Sequence, residues 1–144
     1  MNTATISLKI ITPERITYEG GDIEQATLPV SDGEVTILPN HRSYIASLKS
    51  GEVILRKQDE EIDLAISGGF IEFHDNELVV LADEAERAED IDLEKAEEAK
   101  KRAENLKNKI IKTNEAEYAR LAAILNKELA KIKVAKRYLR RRGL

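Results

Sequence analysis

The chain has no cysteine and no tryptophan, and aromatic residues make up only 4% of it. Without cysteine there is no disulfide, no thiolate metal site and no thiol nucleophile. With so few aromatics, the core must be built from Ile, Leu and Val. Apolar runs are short, and none approaches the roughly 20 residues that a membrane-spanning helix needs. Met1 to Leu8 lacks the cationic start and apolar stretch of a secretory leader. These absences predict a soluble protein that meets a membrane only through a partner. Catalytic signatures are also missing: there is no G-x-x-x-x-G-K before Ser or Thr, no G-x-S-x-G and no H-E-x-x-H. Ser67, His41 and Asp83 are the residue types of a hydrolytic triad, but such residues are scattered through most domains. No enzymatic activity is expected on this chain.

The 144 residues suffice for one domain, or for a small domain with an appendage. The net charge of −4 conceals a division: residues 1–88 hold 17 acidic and 7 basic side chains, a balance of −10, and residues 89–144 hold 10 acidic and 16 basic, a balance of +6. The two parts are electrostatically different objects.

Their hydrophobic periods differ as well. Up to Ala82 the chain reads as short segments of period two, such as Ile6, Leu8 and Ile10, separated every eight to ten residues by turn formers. Those turn formers include Gly20-Gly21, Ser31-Asp32-Gly33, Pro39-Asn40 and Gly68-Gly69. Many short strands with no room for crossover helices predict an antiparallel β-sandwich or barrel. From Ala85 the period becomes helical. Leu93, Ala96, Ala99, Ala103, Leu106 and Ile110 form one stripe, and Tyr118, Leu121, Leu125, Leu129, Ile132 and Leu139 a second, with a break at Lys112–Asn114. Asn114 and Glu117 match a capping box, and Asp92 suits a helix N-cap. The fold class is therefore α+β, β first and then α: a sandwich over residues 1–86 and an antiparallel two-helix hairpin over 87–144, with helices near 91–111 and 115–141. Alanine buries little apolar area, so the first helix should dock weakly and the hairpin reads as a movable part.

Three stretches carry a resemblance. They are Gly33-Glu34-Val35-Thr36-Ile37-Leu38-Pro39-Asn40-His41, Ser67-Gly68-Gly69-Phe70, and Val80-Leu81-Ala82-Asp83 followed by Ala85-Glu86-Arg87-Ala88-Glu89-Asp90-Ile91-Asp92. In order and over nearly the whole length, they resemble the epsilon subunits of F-type ATP synthases. The departures are local: Thr36 stands where the family usually has glycine, and Arg42-Ser43 where it has Ala-Pro.

The resemblance implies a ten-stranded sandwich with a helical hairpin, and a non-catalytic rotor subunit in the central stalk. It implies that the sandwich binds the gamma subunit and stands on the polar loops of the c-ring, with Glu34 and His41 at the contact positions and Arg42 adding a cation. It further implies that the last helix, which carries Arg120, Lys127, Lys131, Lys133, Lys136, Arg137, Arg140, Arg141 and Arg142, extends towards the alpha and beta subunits and inhibits ATP hydrolysis. Some bacterial members bind regulatory ATP through a motif matched here by Ile91, Asp92, Lys95 and Ala96, with Glu86 at a further position; Lys95 replaces an arginine, which keeps the charge and loses the planar fork. No cofactor is required for the rotor role. The expected location is peripheral, on the cytoplasmic face of a bacterial plasma membrane. An alternative function is a nucleic-acid-binding adaptor using the basic terminal helix, although the acidic sandwich and scarce aromatics oppose it.

Overall fold

A computed structural model describes residues 4–110 and 114–144. Eight strands occur among the described residues: β1 (Ile6–Ile11), β2 (Ile16–Ile23), β3 (Gln25–Val30), β4 (Gly33–Ile37), β5 (Tyr44–Ser47), β6 (Gly51–Lys57), β7 (Glu60–His74) and β8 (Glu77–Arg87). They run in the order β2-β1-β8-β7-β6-β3-β4, with β5 added to β7.

The count of eight corrects the expected ten, and the reason lies in β7. Its first half pairs with β6 from Glu60 to Ile66, and its second half pairs with β5 from Phe70 to Phe73. Leu64 and Ile66 point into the core before Gly68-Gly69, and Ile71 and Phe73 do so after it. The inward parity thus flips from even to odd at the glycine pair, where φ is +64° and +112°. Since side chains alternate along a strand, such a flip turns the strand from one layer of the sandwich to the other. β8 follows β7 in register from His74 opposite Glu77 to Leu64 opposite Arg87, so both long strands serve two layers.

The sandwich is also not wholly antiparallel as expected. β1 and β8 pair in parallel, Ser7 opposite Glu77 through Ile11 opposite Leu81. No hairpin joins them, because the rest of the domain intervenes, so connectivity does not force opposite directions. Gly20-Gly21 lies inside β2 rather than in a turn, the irregular pairing with β1 being absorbed there. Thr36 takes an ordinary strand conformation opposite Thr27, their hydroxyls 3.0 Å apart, so glycine is not needed at that position.

After β8 comes a 3-10 turn, Ala88–Asp90, then α1 (Leu93–Lys109) and α2 (Glu115–Arg141). Asp92 caps α1 by accepting from Lys95 N at 3.1 Å, and Asn114 caps α2 by accepting from Glu117 N at 3.2 Å. The Glu117 carboxylate does not complete the expected capping box; it binds Arg120 instead. The expected helix break partly falls on residues 111–113, which lie outside the described residues. Lys136 reaches Glu97, 3.7 Å away near the start of α1, and Lys107 near its end lies over Tyr118 at 4.9 Å, so the helices are antiparallel.

Candidate functional site

α2 lies across the outer face of the layer formed by β6, the first half of β7 and the second half of β8. Residues facing away from the core there are set by register: Glu52 opposite Ala65, Ala65 opposite Glu86, Ser67 opposite Glu84. A helix repeats its face every three to four residues, and α2 uses two such stripes. Lys127 reaches Glu84 at 3.1 Å and Lys131 reaches Glu86 at 3.4 Å. On the other stripe Arg137 donates to Glu52 at 3.0 Å and to Glu61 at 3.4 Å, Lys133 lies 3.7 Å from Glu52, and Arg141 contacts Asp63 directly. Between the stripes Val134 is fully buried against Ala65 and Ala88, with Ile91 and Tyr138 beside them.

In this arrangement most of the basic side chains of α2 are matched to carboxylates rather than solvated. Among the nine basic residues assigned to the inhibitory helix, Lys127, Lys131, Lys133, Arg137 and Arg141 face carboxylates of the sandwich. Lys136 faces α1, and Arg120 pairs within the helix with Glu117. Arg142 stacks over Tyr138 at 4.8 Å, and Arg140 is exposed. A nucleic-acid role for the same helix loses its basis, since most of these cations are already matched. Sequence periodicity also misses four of the six buried residues of α2. Leu121 and Ile132 are buried as expected, but Leu129 and Tyr118 are exposed while Val134, Ala135, Ala130 and Glu128 are buried. A helix held between a sheet and a second helix needs two apolar faces, and one stripe cannot describe it.

Glu86, Ile91, Asp92, Lys95 and Ala96, singled out in sequence, line one cavity of about 400 Å³ between the sandwich and the two helices. Glu98, Ala99, Arg102, Glu128 and Lys131 complete its wall. Arg102 carries no motif signal, although it sits seven residues after Lys95, two helical turns along the same face. The cavity therefore offers three cations, Lys95, Arg102 and Lys131, with Lys131 also 3.9 Å from the buried Glu128. Cations of this kind can pair with phosphate oxygens, arginine through a planar fork and lysine as a point charge, while Glu86, Asp92, Glu98 and Glu128 line the same wall and Lys131 already faces Glu86.

The candidate foot is a separate region. Asn40 N donates to Asn76 Oδ1 at 2.6 Å and Asn76 Nδ2 returns a bond to Asn40 Oδ1 at 3.1 Å, tying the loop after β4 to the β7–β8 turn. His41 follows, with its ring edge-on to Tyr44 and to Phe73, both at 5.9 Å. Arg42 is exposed beside it. Glu34 lies at the opposite end of β4, so about 10 Å of strand from Glu34 to Ile37 separates it from this cluster; the structure does not bring Glu34 and His41 into one contact. Ser67 and Asp83 flank the β7 bend, far along the strand from Phe73 where His41 packs, and no triad forms. Among the described residues no group of His, Cys, Asp or Glu is arranged to hold a metal, and no helix is long and apolar enough to cross a membrane.

Residues 5–88 match the family model "ATP synthase, Delta/Epsilon chain, beta-sandwich domain", and residues 89–136 match "ATP synthase, Delta/Epsilon chain, long alpha-helix domain". The ATP synthase epsilon chain of Desulforamulus reducens is 39% identical over 131 residues, 91% of this chain and 97% of that one. That of Levilactobacillus brevis is 37% identical over 137 residues, 94% of this chain and 97% of that one. Among solved structures, a chain of the mitochondrial ATP synthase of Euglena gracilis superposes with a TM-score of 0.78 at 21% identity, covering 92% of this chain and 82% of its own. A central-stalk and c-ring structure from Tetrahymena thermophila gives 0.59 at 13% identity, covering 90% and 96%.

Proposed function

The chain belongs to the ATP synthase delta/epsilon chain family, and on that premise we propose that it works as a rotor clamp with a detachable regulatory arm. As an epsilon subunit it is structural and regulatory, not catalytic. The observation that carries the proposal is the meeting of the two charge populations: the acidic face of the sandwich is matched, side chain by side chain, to the basic face of α2.

Such an interface is specific and largely polar, with fully buried apolar contact concentrated on Val134, Ala65 and Ala88. Exposed or half-exposed ion pairs contribute little each, up to about 1 kcal/mol. The arm is thereby aligned strongly and held weakly. Released, it would present a row of cations to an acidic surface of the alpha and beta subunits and oppose ATP hydrolysis.

The sandwich keeps its own core without the arm and leaves Phe70, Leu81 and Ile45 exposed at 61%, 52% and 73%. Phe70 and Leu81 are register partners across β7 and β8. An apolar patch of this kind on the sandwich suits the gamma subunit, and His41 with Arg42 suits the c-ring loops at the foot. The cavity containing Lys95 and Arg102 would take ATP as a regulatory ligand that ties arm to sandwich, since its wall comes from both. The proposal extends to a peripheral place on the cytoplasmic face of a bacterial plasma membrane.

Reconstitution with gamma, alpha and beta tests the reading. The full chain should bind gamma and lower the ATPase rate, whereas the 1–88 fragment should bind gamma without lowering it. Equal rates for the two would remove the inhibitory role, and failure of both to bind gamma would remove the clamp.

A further inference from the structure

We propose that Asp63 is a built-in weak point in the arm's docking interface: a buried carboxylate that positions Arg141 while working against the docked state, so that the arm remains releasable. The inference rests on the reading of the arm as movable, and concerns what sets how tightly it is held.

Asp63 is 2% exposed, the most enclosed acidic residue in the interface. One carboxylate oxygen, Oδ2, accepts from Arg141, but Oδ1 is buried with no hydrogen-bond partner among the described residues. Glu61 on the same strand and Glu52 on β6 are both carboxylates; Arg137 and Arg141 are shared among the three acids, while Arg56 lies 3.8 Å from Glu61 and Lys133 3.7 Å from Glu52. Among the described residues the cation in contact with Asp63 itself is Arg141, which Glu61 shares. Glu61 Oε2 lies 3.2 Å from Arg141 Nη1 without the geometry of a hydrogen bond. Arg87 of β8 and Glu89 of the 3-10 turn line the same cavity of about 230 Å³, so further acids and bases crowd one site.

A buried ion pair whose desolvation is not repaid by full hydrogen bonding is often less stable than a neutral replacement, whereas removing only its cation leaves a buried charge stranded. The titration of Asp63 agrees. Burial first, and then the neighbouring carboxylates, push it from 3.8 up to about 6 against the opposing pull of Arg141 and Arg137. With the arm released, Asp63 on β7 would be solvated and ordinary. A group whose value is raised in the docked state favours docking while protonated, and that contribution is lost as pH rises through about 6. A rise from 3.8 to about 6 corresponds to about a hundredfold change in the docked-to-released ratio across the whole window.

The two partners of this ion pair should therefore act in opposite directions. The test uses the full chain, whose lack of cysteine permits clean labelling at Asp32→Cys and Ala123→Cys, both exposed positions outside the cluster. Distances between paired spin labels report the docked fraction from pH 5 to 7.5. Wild type should shift towards the released form as pH rises, by about tenfold in the ratio. Asp63→Asn should stay docked at neutral pH and lose this dependence. Arg141→Gln should release the arm at neutral pH and regain docking on acidification, with its midpoint moved upward.

If Asp63→Asn releases the arm as Arg141→Gln does, the pair is an ordinary stabilising salt bridge and the proposal is wrong. It is equally wrong if Asp63→Asn keeps the wild-type pH profile. An arm that never leaves the sandwich, in any variant and at any pH, overturns the movable arm together with the proposal.

Discussion

Arg137 on α2 and Glu52 on β6 stand 85 residues apart in sequence and 3.0 Å apart in the fold. Their contact joins the cationic part of the chain to the acidic part. The Glu52 side chain is only 8% exposed, and it also faces Lys133. Glu52→Gln should loosen the arm by up to about 1 kcal/mol, the scale of an ion pair whose arginine is one-third exposed. Proteolysis of α2 measures this, because cleavage requires the arm to open. Arg137→Gln should match it, and the double variant should cost less than the two together if the residues act on each other. Additive losses would place the effect elsewhere.

Val134 predicts the apolar share of the same interface. It is fully buried, and Val134→Ala removes two methyl groups, about 1.5 kcal/mol of transfer energy. Because the sandwich core is a separate cluster, hydrogen exchange in α2 should accelerate about tenfold while exchange in β7 and β8 is unchanged. Coupled acceleration in both would mean that arm and sandwich open as one unit.

The division into a β part and an α part was legible in sequence because each period persists over many residues. The caps at Asp92 and Asn114 were legible because capping is local chemistry. Val134 and Arg102 were not. Val134 lies off the expected stripe of α2, and its burial depends on a sheet that packs against a second face of that helix. Arg102 reads as one more solvated arginine until α1 is placed beside Lys131. The opposite charges of the two parts were also visible, but their mutual pairing was not, since net charge carries no register. Likewise Gly68-Gly69 resembles a turn between two strands; only pairing partners reveal one bent strand.

That bend gives a stability prediction. A Cβ on Gly69 would stand 1.9 Å from Leu81 O, and the residue's φ of +112° is one that side chains rarely adopt. Gly69→Ala should therefore destabilise the sandwich by more than about 2 kcal/mol, clash and backbone strain adding. Gly21 lies in open space with no neighbour near its Cβ position, and Gly21→Ala should change the thermal midpoint little. Equal effects at the two sites would show that the bend tolerates a side chain.

The cavity beside α1 makes the last prediction, and its sign depends on geometry at two positions. Lys95 and Arg102 both line it, and neither has an ion-pair partner among the described residues, so their charges are available to a phosphate. Arg102 presents a fork that can hold two oxygens, whereas the Lys95 ammonium acts as a point charge. Arg102→Ala should therefore weaken ATP binding by tenfold or more, about 1.5–3 kcal/mol for the loss of charge-assisted bonds. Lys95→Arg should strengthen it by supplying a second fork. Because the wall of the cavity is shared between sandwich and helices, ATP should also slow proteolysis of α2 in proportion to its occupancy. Calorimetry on the full chain reads the first two effects. An unchanged heat of binding in Arg102→Ala would move the nucleotide elsewhere, and no heat in wild type up to millimolar ATP would remove it from this protein.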